Sequence, residues 1–286
     1  MTPDPAQHNH LELLIELALA EDLGAGDVTS IAFIPESAHA VAVIVARQSL
    51  VVSGTNAALR VFEKIDSSIT LELLAKDGTS LHAGEPILKA SGPARSLLAA
   101  ERSALNFLQR LCGIATQTRS YVQQIEGTAA LLLDTRKTTP GWRVLEKKAV
   151  ADGGGTNHRM GLHDMVMVKD NHLAALPTGV DAAEIVAGIK ARNPAIPVEI
   201  EADNLEQVEF FAAIPGVDWV MLDNMPPDII RKALVFRRPG LRFEASGGIS
   251  HEKLREIAET GVDAISMGAL THSAVAVDIG MDFLQN

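Results

Sequence analysis

From residue 129 onward, short apolar runs alternate with longer segments whose apolar residues follow a helical spacing. The short runs predict buried strands and the longer segments predict helices. The predicted strands are residues 129–133, 165–168, 198–200, 219–222, 241–245 and 264–267. The predicted helices are residues 144–151, 181–191, 205–213, 227–235 and 251–259. Alternating strands and helices predict an α/β fold with a parallel sheet and right-handed crossovers, either open or closed into a barrel.

The first part of the chain has a mixed pattern. We expect a loose arm at residues 1–10, helices at 11–23 and 55–65, and strands at 41–46, 69–74 and 86–90. A long amphipathic helix is predicted for residues 94–111, with a break at Gly113 and a second helix at 114–125. These features predict two domains: an N-terminal α/β domain over residues 1–112, which can also recruit the C-terminal segment, and a β/α-barrel catalytic domain over residues 113–286.

Composition excludes several classes of protein. A net charge of -11 argues against nucleic acid as a partner, because binding phosphates requires a basic face. No apolar run approaches the roughly 20 residues that span a bilayer, so no membrane association is expected. The single Cys112 excludes an internal disulfide framework, and the N-terminal residues lack a signal-peptide pattern. We therefore expect a cytoplasmic protein.

Positive charge is concentrated between residues 132 and 172, although the chain as a whole is acidic. This segment contains Arg136, Lys137, Arg143, Lys147, Lys148, His158, Arg159, His163 and Lys169. Basic residues in such numbers often form only a solvated face. Here they follow the ends of two predicted strands and flank a triple-glycine run, where α/β sheets place their ligands. The pattern favours a site for a small anionic ligand.

The other strand ends supply carboxylates and glycines. Glu199 and Glu201 are two residues apart on one predicted strand, so both side chains point to the same face. Glu201 and Asp223 can hold Mg²⁺ or sugar hydroxyls. The Ser246-Gly247-Gly248 sequence precedes a helix, where backbone N–H groups favour a phosphate, and Gly268 on the next strand can complete that site. Neither a GxGxxG nor a GxxxxGK[ST] pattern is present, which argues against a Rossmann dehydrogenase or a nucleotide kinase.

Short motifs occur in a fixed order from Glu21 to the C-terminus. They are Glu21-Asp-Leu-Gly24, Asp27-Val-Thr29, Arg102-Ser-Ala-Leu-Asn-Phe107, Gly113-Ile-Ala-Thr116, Asp134-Thr-Arg-Lys-Thr-Thr-Pro-Gly141, Gly153-Gly-Gly-Thr-Asn-His-Arg159, Lys169-Asp-Asn-His172, Leu222-Asp-Asn224 and Ser246-Gly-Gly-Ile249. Together they resemble the quinolinate phosphoribosyltransferase family. The resemblance implies an N-terminal α/β sandwich, an open and incomplete parallel β/α barrel, and a homodimer or larger assembly with shared active sites.

The resemblance also implies an activity. Quinolinate and phosphoribosyl pyrophosphate would form nicotinate mononucleotide, pyrophosphate and CO₂ with Mg²⁺ and no organic cofactor, in de novo NAD biosynthesis. The implied catalytic residues are Lys137, Lys169, Glu201 and Asp223. The implied substrate-binding residues are Arg102 of a neighbouring subunit, Thr135, Arg136, Lys137, His158, Arg159, Lys169, Glu201, Asp223, Ser246, Gly247, Gly248, Met267, Gly268 and Ala269. Glu201 and Asp223 are also the implied metal-binding pair, either directly or through Mg²⁺ carried by the substrate.

Within that resemblance, each part of the ligand has its own residues. Arg136, His158, Arg159, Lys169 and Arg102 would bind the two quinolinate carboxylates, and Lys137 the pyrophosphate. The Ser246–Gly248 and Met267–Ala269 segments would cradle the 5′-phosphate. Trp142 departs from the family pattern, in which a smaller aliphatic residue often follows the Pro-Gly pair.

Three other functions are compatible with the residues alone. The first is a phosphoribosyltransferase that acts on nicotinate or another heterocycle, for which fewer cations are needed. The second is a barrel aldolase with Lys169 as a Schiff-base amine, which borohydride trapping would reveal. The third is a regulator that binds a metabolite without catalysis. The full set of cations together with the carboxylates favours the quinolinate enzyme.

Overall fold

The computed structural model describes residues 5–177 and 181–284. The chain folds into two compact units. The first comprises Met1–Arg119, Thr139–Gly154 and Thr271–Asn286, and the second comprises Ser120–Thr138 and Gly155–Leu270. The predicted division between residues 112 and 113 stays a prediction.

The helices and strands follow one another in this order along the chain. They are α1 (Pro5–Leu23), α2 (Val28–Phe33), β1 (His39–Ala46), β2 (Leu50–Val51), α3 (Thr55–Ile65), β3 (Thr70–Leu73), β4 (Ser80–Leu81), β5 (Pro86–Pro93), α4 (Ala94–Gln124), β6 (Leu131–Leu133), α5 (Arg143–Asp152), β7 (Val166–Val168), α6 (Asp170–Ala174), α7 (Ala182–Arg192), β8 (Val198–Ala202), α8 (Leu205–Ala213), β9 (Trp219–Asp223), α9 (Pro227–Ala233), a 3-10 helix (Leu234–Phe236), β10 (Arg242–Ser246), α10 (His251–Ala258), β11 (Ala264–Ser266), α11 (Ala269–His272) and β12 (Ile279–Phe283). Among the described residues, no helix combines the length and apolar character needed to cross a bilayer.

The first unit is an α/β sandwich, as the family resemblance implies. Its main sheet has the order β12-β1-β5-β3 with antiparallel pairing. Every second residue of β1 from Ala42 to Ala46 is buried, which is the period-2 pattern of a strand with one covered face. These residues share one apolar core with Phe62 of α3 and Leu97 and Leu108 of α4.

Two predictions for the first unit were wrong. The first helix begins at Pro5, so residues 5–10 are helical and only residues 1–4 of the predicted arm lie outside the described residues. The predicted break at Gly113 is absent, because α4 is continuous from Ala94 to Gln124. A Cβ at Gly113 would lie 2.1 Å from the Val275 carbonyl oxygen. The glycine therefore permits close packing of a backbone against the helix rather than ending it.

Trp142, the departure from the family pattern, packs within the first unit. Its ring stacks on Phe107 with centroids 4.8 Å apart and an angle of 18° between the planes. A small aliphatic side chain would leave that face of Phe107 without an aromatic partner. Trp142 therefore extends the sandwich core.

The second unit is a parallel sheet whose order, β6-β11-β10-β9-β8-β7, identifies an open barrel. The first two strands of this unit in chain order, β6 and β7, lie at opposite edges, and no pairing joins them in the part of the chain that the structure describes. Each predicted strand and helix of this region is confirmed within two residues. The parallel arrangement brings the carboxyl ends of all six strands to one edge.

Strand β8 shows how this sheet carries charge. All five of its residues are buried. Val198, Ile200 and Ala202 alternate with Glu199 and Glu201, so both carboxylates lie on one face and the apolar residues on the other. The predicted shared face of the two glutamates is confirmed.

Candidate functional site

A cavity of about 580 Å³ opens at the carboxyl ends of the parallel strands. It is lined by Asp134, Thr135, Arg136, Lys137, His158, Arg159, Met167, Lys169, Met221, Asp223, Asn224, Glu244, Ser246, Gly247, Gly248 and Ser266. Most of the residues predicted for the site lie on this one surface. The cavity also places basic residues within reach of acidic ones and of a glycine-rich loop, so a ligand held there would carry several polar groups.

The loop after β6 is shaped by short polar contacts. The Thr135 hydroxyl accepts a hydrogen bond from the Lys137 backbone N–H at 3.0 Å, which closes a tight turn around Arg136. The buried Asp134 carboxylate accepts from the His158 backbone N–H at 2.8 Å. Asp134 thus ties this loop to the His158–Arg159 segment, a role that a sequence pattern does not reveal.

Lys169 follows β7 and pairs with a carboxylate of the neighbouring strand. Its Nζ donates to Glu201 Oε2 at 2.8 Å, and the Lys169 side chain is 44% exposed while that of Glu201 is 10% exposed. The Lys169 backbone N–H donates to His172 Nδ1 at 3.0 Å. The Lys169 ammonium group is therefore held by Glu201 but remains accessible to a ligand in the cavity.

The His158 ring contacts two buried carboxyl groups, those of Glu199 and Glu244. Its Nε2 lies 3.1 Å from Oε2 of Glu199 and 3.1 Å from Oε2 of Glu244. The other oxygen of each carboxyl group, Oε1, is buried and lacks a hydrogen-bond partner among the described residues. A proton on one of the two carboxyl groups would remove the repulsion between them.

The pKa values of this cluster follow from burial and neighbouring charge. Burial lowers the pKa of His158, but hydrogen bonds to Glu199 and Glu244 outweigh it and raise the pKa to about 10. Burial and the nearby Glu244 charge raise the pKa of Glu199 to about 7. The Arg159 backbone N–H, 2.7 Å from His158 Nδ1, opposes a second ring proton. The hydrogen bonds from His158 to the two buried carboxyl groups outweigh this opposition.

Carboxylates form a second group at the ends of β8 and β9. Oxygens of Glu201, Asp203 and Asp223 lie within 4.8 Å of one another. Such hard oxygen ligands suit Mg²⁺, which usually takes one or two carboxylates together with substrate phosphates. The residues present therefore fit the metal that the family resemblance implies.

The glycine-rich end of the cavity lies between β10 and α10. Gly247 and Gly248 have φ values of +90° and +55°, a region that side chains disfavour. Ser266 at the end of β11 donates from its hydroxyl to Ser246 at 3.1 Å, which joins the ends of two neighbouring strands. A glycine-rich turn ahead of a helix is a common setting for a phosphate, which backbone N–H groups bind.

Some predicted residues lie outside the cavity lining. Glu201 does not line the cavity, but its carboxylate accepts a hydrogen bond from Lys169, which does. Met267, Gly268 and Ala269 follow β11 and do not line the cavity either. Arg102 is exposed on α4 in the first unit.

The lining also contains Asn224 and Glu244, which were not predicted as site residues. Glu244 alternates with Phe243 and Ala245 on β10, and that alternation is a signal of its inward direction.

The fold and the cavity together define a class. A parallel β/α barrel with cations, carboxylates and glycines at its strand ends is typical of enzymes that act on small phosphorylated substrates. Comparisons with known proteins give the family. Residues 27–112 match the N-terminal domain of quinolinate phosphoribosyl transferase, and residues 114–282 match its C-terminal domain.

Individual relatives cover nearly the whole chain. The protein named "Probable nicotinate-nucleotide pyrophosphorylase (carboxylating)" of Bacillus subtilis is 43% identical over 96% of this chain and 94% of its own length. The Mycobacterium leprae nicotinate-nucleotide pyrophosphorylase (carboxylating) is 40% identical over 94% and 95%. The crystal structure of NadC from Streptococcus pyogenes has a TM-score of 0.90, 37% identity and 100% coverage of both chains. The chain belongs to the quinolinate phosphoribosyltransferase family.

Proposed function

We propose that this protein is a quinolinate phosphoribosyltransferase of de novo NAD biosynthesis. It joins quinolinate to phosphoribosyl pyrophosphate and releases nicotinate mononucleotide, pyrophosphate and CO₂. One observation carries the proposal: a single cavity holds Arg136, Lys137, Arg159 and Lys169 together with Asp223 and the Gly247–Gly248 loop. That combination of groups suits a dianionic aromatic acid and a phosphorylated sugar.

The cations would divide the work by position. Arg136, Arg159 and Lys169 bind the two carboxylates of quinolinate. The guanidinium groups of the two arginines can each bind a carboxylate with two parallel hydrogen bonds, and the Lys169 ammonium adds a compact positive charge. Lys137 contacts the pyrophosphate as it leaves. Thr135 accepts the hydrogen bond that shapes the loop carrying Arg136 and Lys137. His158, held by Glu199 and Glu244, supplies positive charge from the floor of the cavity.

The sugar end would use the carboxylates and glycines. Glu201 and Asp223 hold Mg²⁺ or the ribose hydroxyls, and Ser246, Gly247 and Gly248 bind the 5′-phosphate, with backbone of Met267, Gly268 and Ala269 beside it. When bound with the substrate, Mg²⁺ neutralises charge on the pyrophosphate. The carboxylate group Glu201, Asp203 and Asp223 supports this assignment by its spacing.

Catalysis would depend on positioning and electrostatics. The pyridine nitrogen bonds to C1 of the ribose while the C1–O bond to pyrophosphate breaks and its electron pair leaves with the oxygen. The substituted nitrogen is then cationic. It stabilises the electron pair left on C2 when the 2-carboxylate departs as CO₂, and C2 finally takes a proton. No organic cofactor is needed for these steps.

The assembly and setting are part of the proposal. The protein acts as a homodimer in the cytoplasm, and each active site includes Arg102 of the other subunit. Arg102 is exposed on α4, which supports a role outside its own unit. The single Cys112 is buried, and burial raises its pKa to about 12, so it is a packing residue suited to a reducing compartment. The division into domains at residues 112 and 113 is supported by the two family matches.

An assay of products tests the function. With quinolinate labelled at the 2-carboxylate, the protein should release one labelled CO₂ and one pyrophosphate for each nicotinate mononucleotide formed. Pyrophosphate release without labelled CO₂ would overturn the proposal. The two family matches favour this reaction over the aldolase alternative, because they cover both parts of the chain.

Mixed dimers test the shared site. Arg102→Ala and Lys137→Ala are each expected to be nearly inactive while remaining dimeric. Subunit exchange between them should restore activity, because some mixed dimers contain one site with neither change. Verified exchange without any recovery would contradict the contribution of Arg102 across the dimer.

A further inference from the structure

Asn224 has an unusual backbone conformation at the edge of the cavity. Its φ is +53°, and no other described residue except glycine has a positive φ. This left-handed conformation is unfavourable for most side chains and is tolerated best by glycine and asparagine. Such conformations persist where surrounding contacts enforce them, and they are concentrated at functional sites.

The Asn224 side chain and backbone contact two parts of the cavity at once. Its Nδ2 donates to Asp223 Oδ2 at 2.6 Å, and its backbone N–H donates to the Ser246 carbonyl at 2.9 Å. One residue therefore links the carboxylate at the end of β9 to the chain that enters the Gly247–Gly248 loop.

The Gly247 backbone lies directly against this pair. A Cβ at Gly247 would lie 2.4 Å from Asn224 Oδ1 and 2.8 Å from Asp223 Oδ1. The amide and the carboxylate thus occupy the space beside the loop, with Oδ2 of Asp223 held by Asn224 and Oδ1 facing Gly247. The close fit means that a change in the amide would move both the carboxylate and the loop.

We propose that Asn224 is a positioning residue that fixes the Asp223 carboxylate relative to the Gly247–Gly248 loop, so that the ribose and the 5′-phosphate of one sugar phosphate are bound together. This inference rests on the proposed function for the identity of the ligand. Asparagine suits the task for two reasons. It tolerates the left-handed backbone, and its amide is a neutral donor to a carboxylate.

Two substitutions separate this role from a structural one. Asn224→Gly keeps the left-handed backbone and removes the amide, so the melting temperature should be unchanged or higher. Asn224→Asp replaces the donor with a second carboxylate beside Asp223. Both should weaken the binding of Mg²⁺–phosphoribosyl pyrophosphate, measured by calorimetry without quinolinate, by roughly 10–100-fold, as is usual when a partner that orients a ligand-binding carboxylate is lost. The KM for quinolinate should stay close to that of the wild type.

Asn193→Asp is the matched control. Asn193 is exposed and ends α7, ahead of β8, so it lies at the amino-terminal edge of the sheet. It undergoes the same change in charge as Asn224→Asp. Its affinity for Mg²⁺–phosphoribosyl pyrophosphate should equal that of the wild type.

A double-mutant cycle tests whether Asn224 acts through Asp223. Once Asp223→Asn is present, adding Asn224→Gly should cause little further loss of affinity, because the effects of residues that act together are not additive. Full additivity, or unchanged affinity in Asn224→Gly alone, would overturn the inference. Wild-type turnover of quinolinate is read separately, so a failure of the proposed reaction is distinguishable from a failure of Asn224 to position Asp223.

Discussion

The two sheets of this protein differ in what their covered faces carry. In the first unit, the buried positions of β1 are Ala42, Ile44 and Ala46, which pack into an apolar core. In the second unit, β8 buries Glu199 and Glu201, and β10 buries Glu244. Burying carboxylates is unfavourable unless they are paired or hydrogen-bonded. The first sheet therefore contributes chiefly to the stability of the fold. In the second sheet, the buried carboxylates reduce stability but place charged groups beside the cavity.

The largest effect is expected from the apolar core of the first unit. Phe62 is fully buried, so Phe62→Ala should lower the free energy of unfolding by about 3–5 kcal/mol. Turnover per folded molecule should be unchanged, as urea unfolding and activity measured on the same samples would show. Phe210→Ala is the control, because that ring is 55% exposed and its loss should have little effect. A large loss of turnover in folded Phe62→Ala protein would contradict the comparison.

In the loop after β6 of the second unit, a substitution should lower turnover and leave stability unchanged. Lys137→Ala should lower kcat on the order of 10²-fold, about 2.7 kcal/mol of transition-state stabilisation, by removing a contact to the leaving pyrophosphate. The melting temperature should not change. Lys253→Ala, which removes an exposed lysine of α10, serves as the control. Turnover near that of the wild type at saturating substrates would refute the role of Lys137.

The buried His158 cluster should make stability depend on pH. The folded-state pKa of His158 is raised from 6.5 to about 10, after burial has been outweighed by Glu199 and Glu244. A raised pKa stabilises the folded state fully below about pH 6.5, and this contribution is lost as pH rises towards about 10. His158→Gln should therefore flatten the fall in stability between these values, measured by urea unfolding across pH. His163→Gln, at an exposed position, should keep the wild-type profile. An identical slope in both variants would show that His158 does not carry the effect.

The smallest effect is expected from ion pairs on the surface. Arg47 contacts Asp282 within the first unit at 2.5 Å, but the two side chains are 39% and 53% exposed. Water and salt screen such a pair, so Arg47→Ala should leave the melting temperature unchanged within error. A clear drop in melting temperature at physiological salt would contradict this expectation and would show that the ion pair between Arg47 and Asp282 stabilises the first unit.

The sequence predicted most of the second unit because its strands are short apolar runs between polar segments. Arg136, Lys137 and Lys169 follow such runs directly, so their meeting at one edge of the sheet could be inferred. Gly113 was misread because the sequence shows a helix-breaking residue but not the backbone that packs on it. The contacts of His158 and Asn224 join distant segments, and a single sequence has no periodicity that records them.

The choice between quinolinate and nicotinate depends on the number of cations in the cavity. The cations of the second unit exceed what one carboxylate needs, so the site is suited to a dicarboxylate. Phosphoribosyl transfer should be efficient with quinolinate and far weaker with nicotinate when kcat/KM is measured for both by pyrophosphate release. Equal values of kcat/KM for the two acids would contradict it.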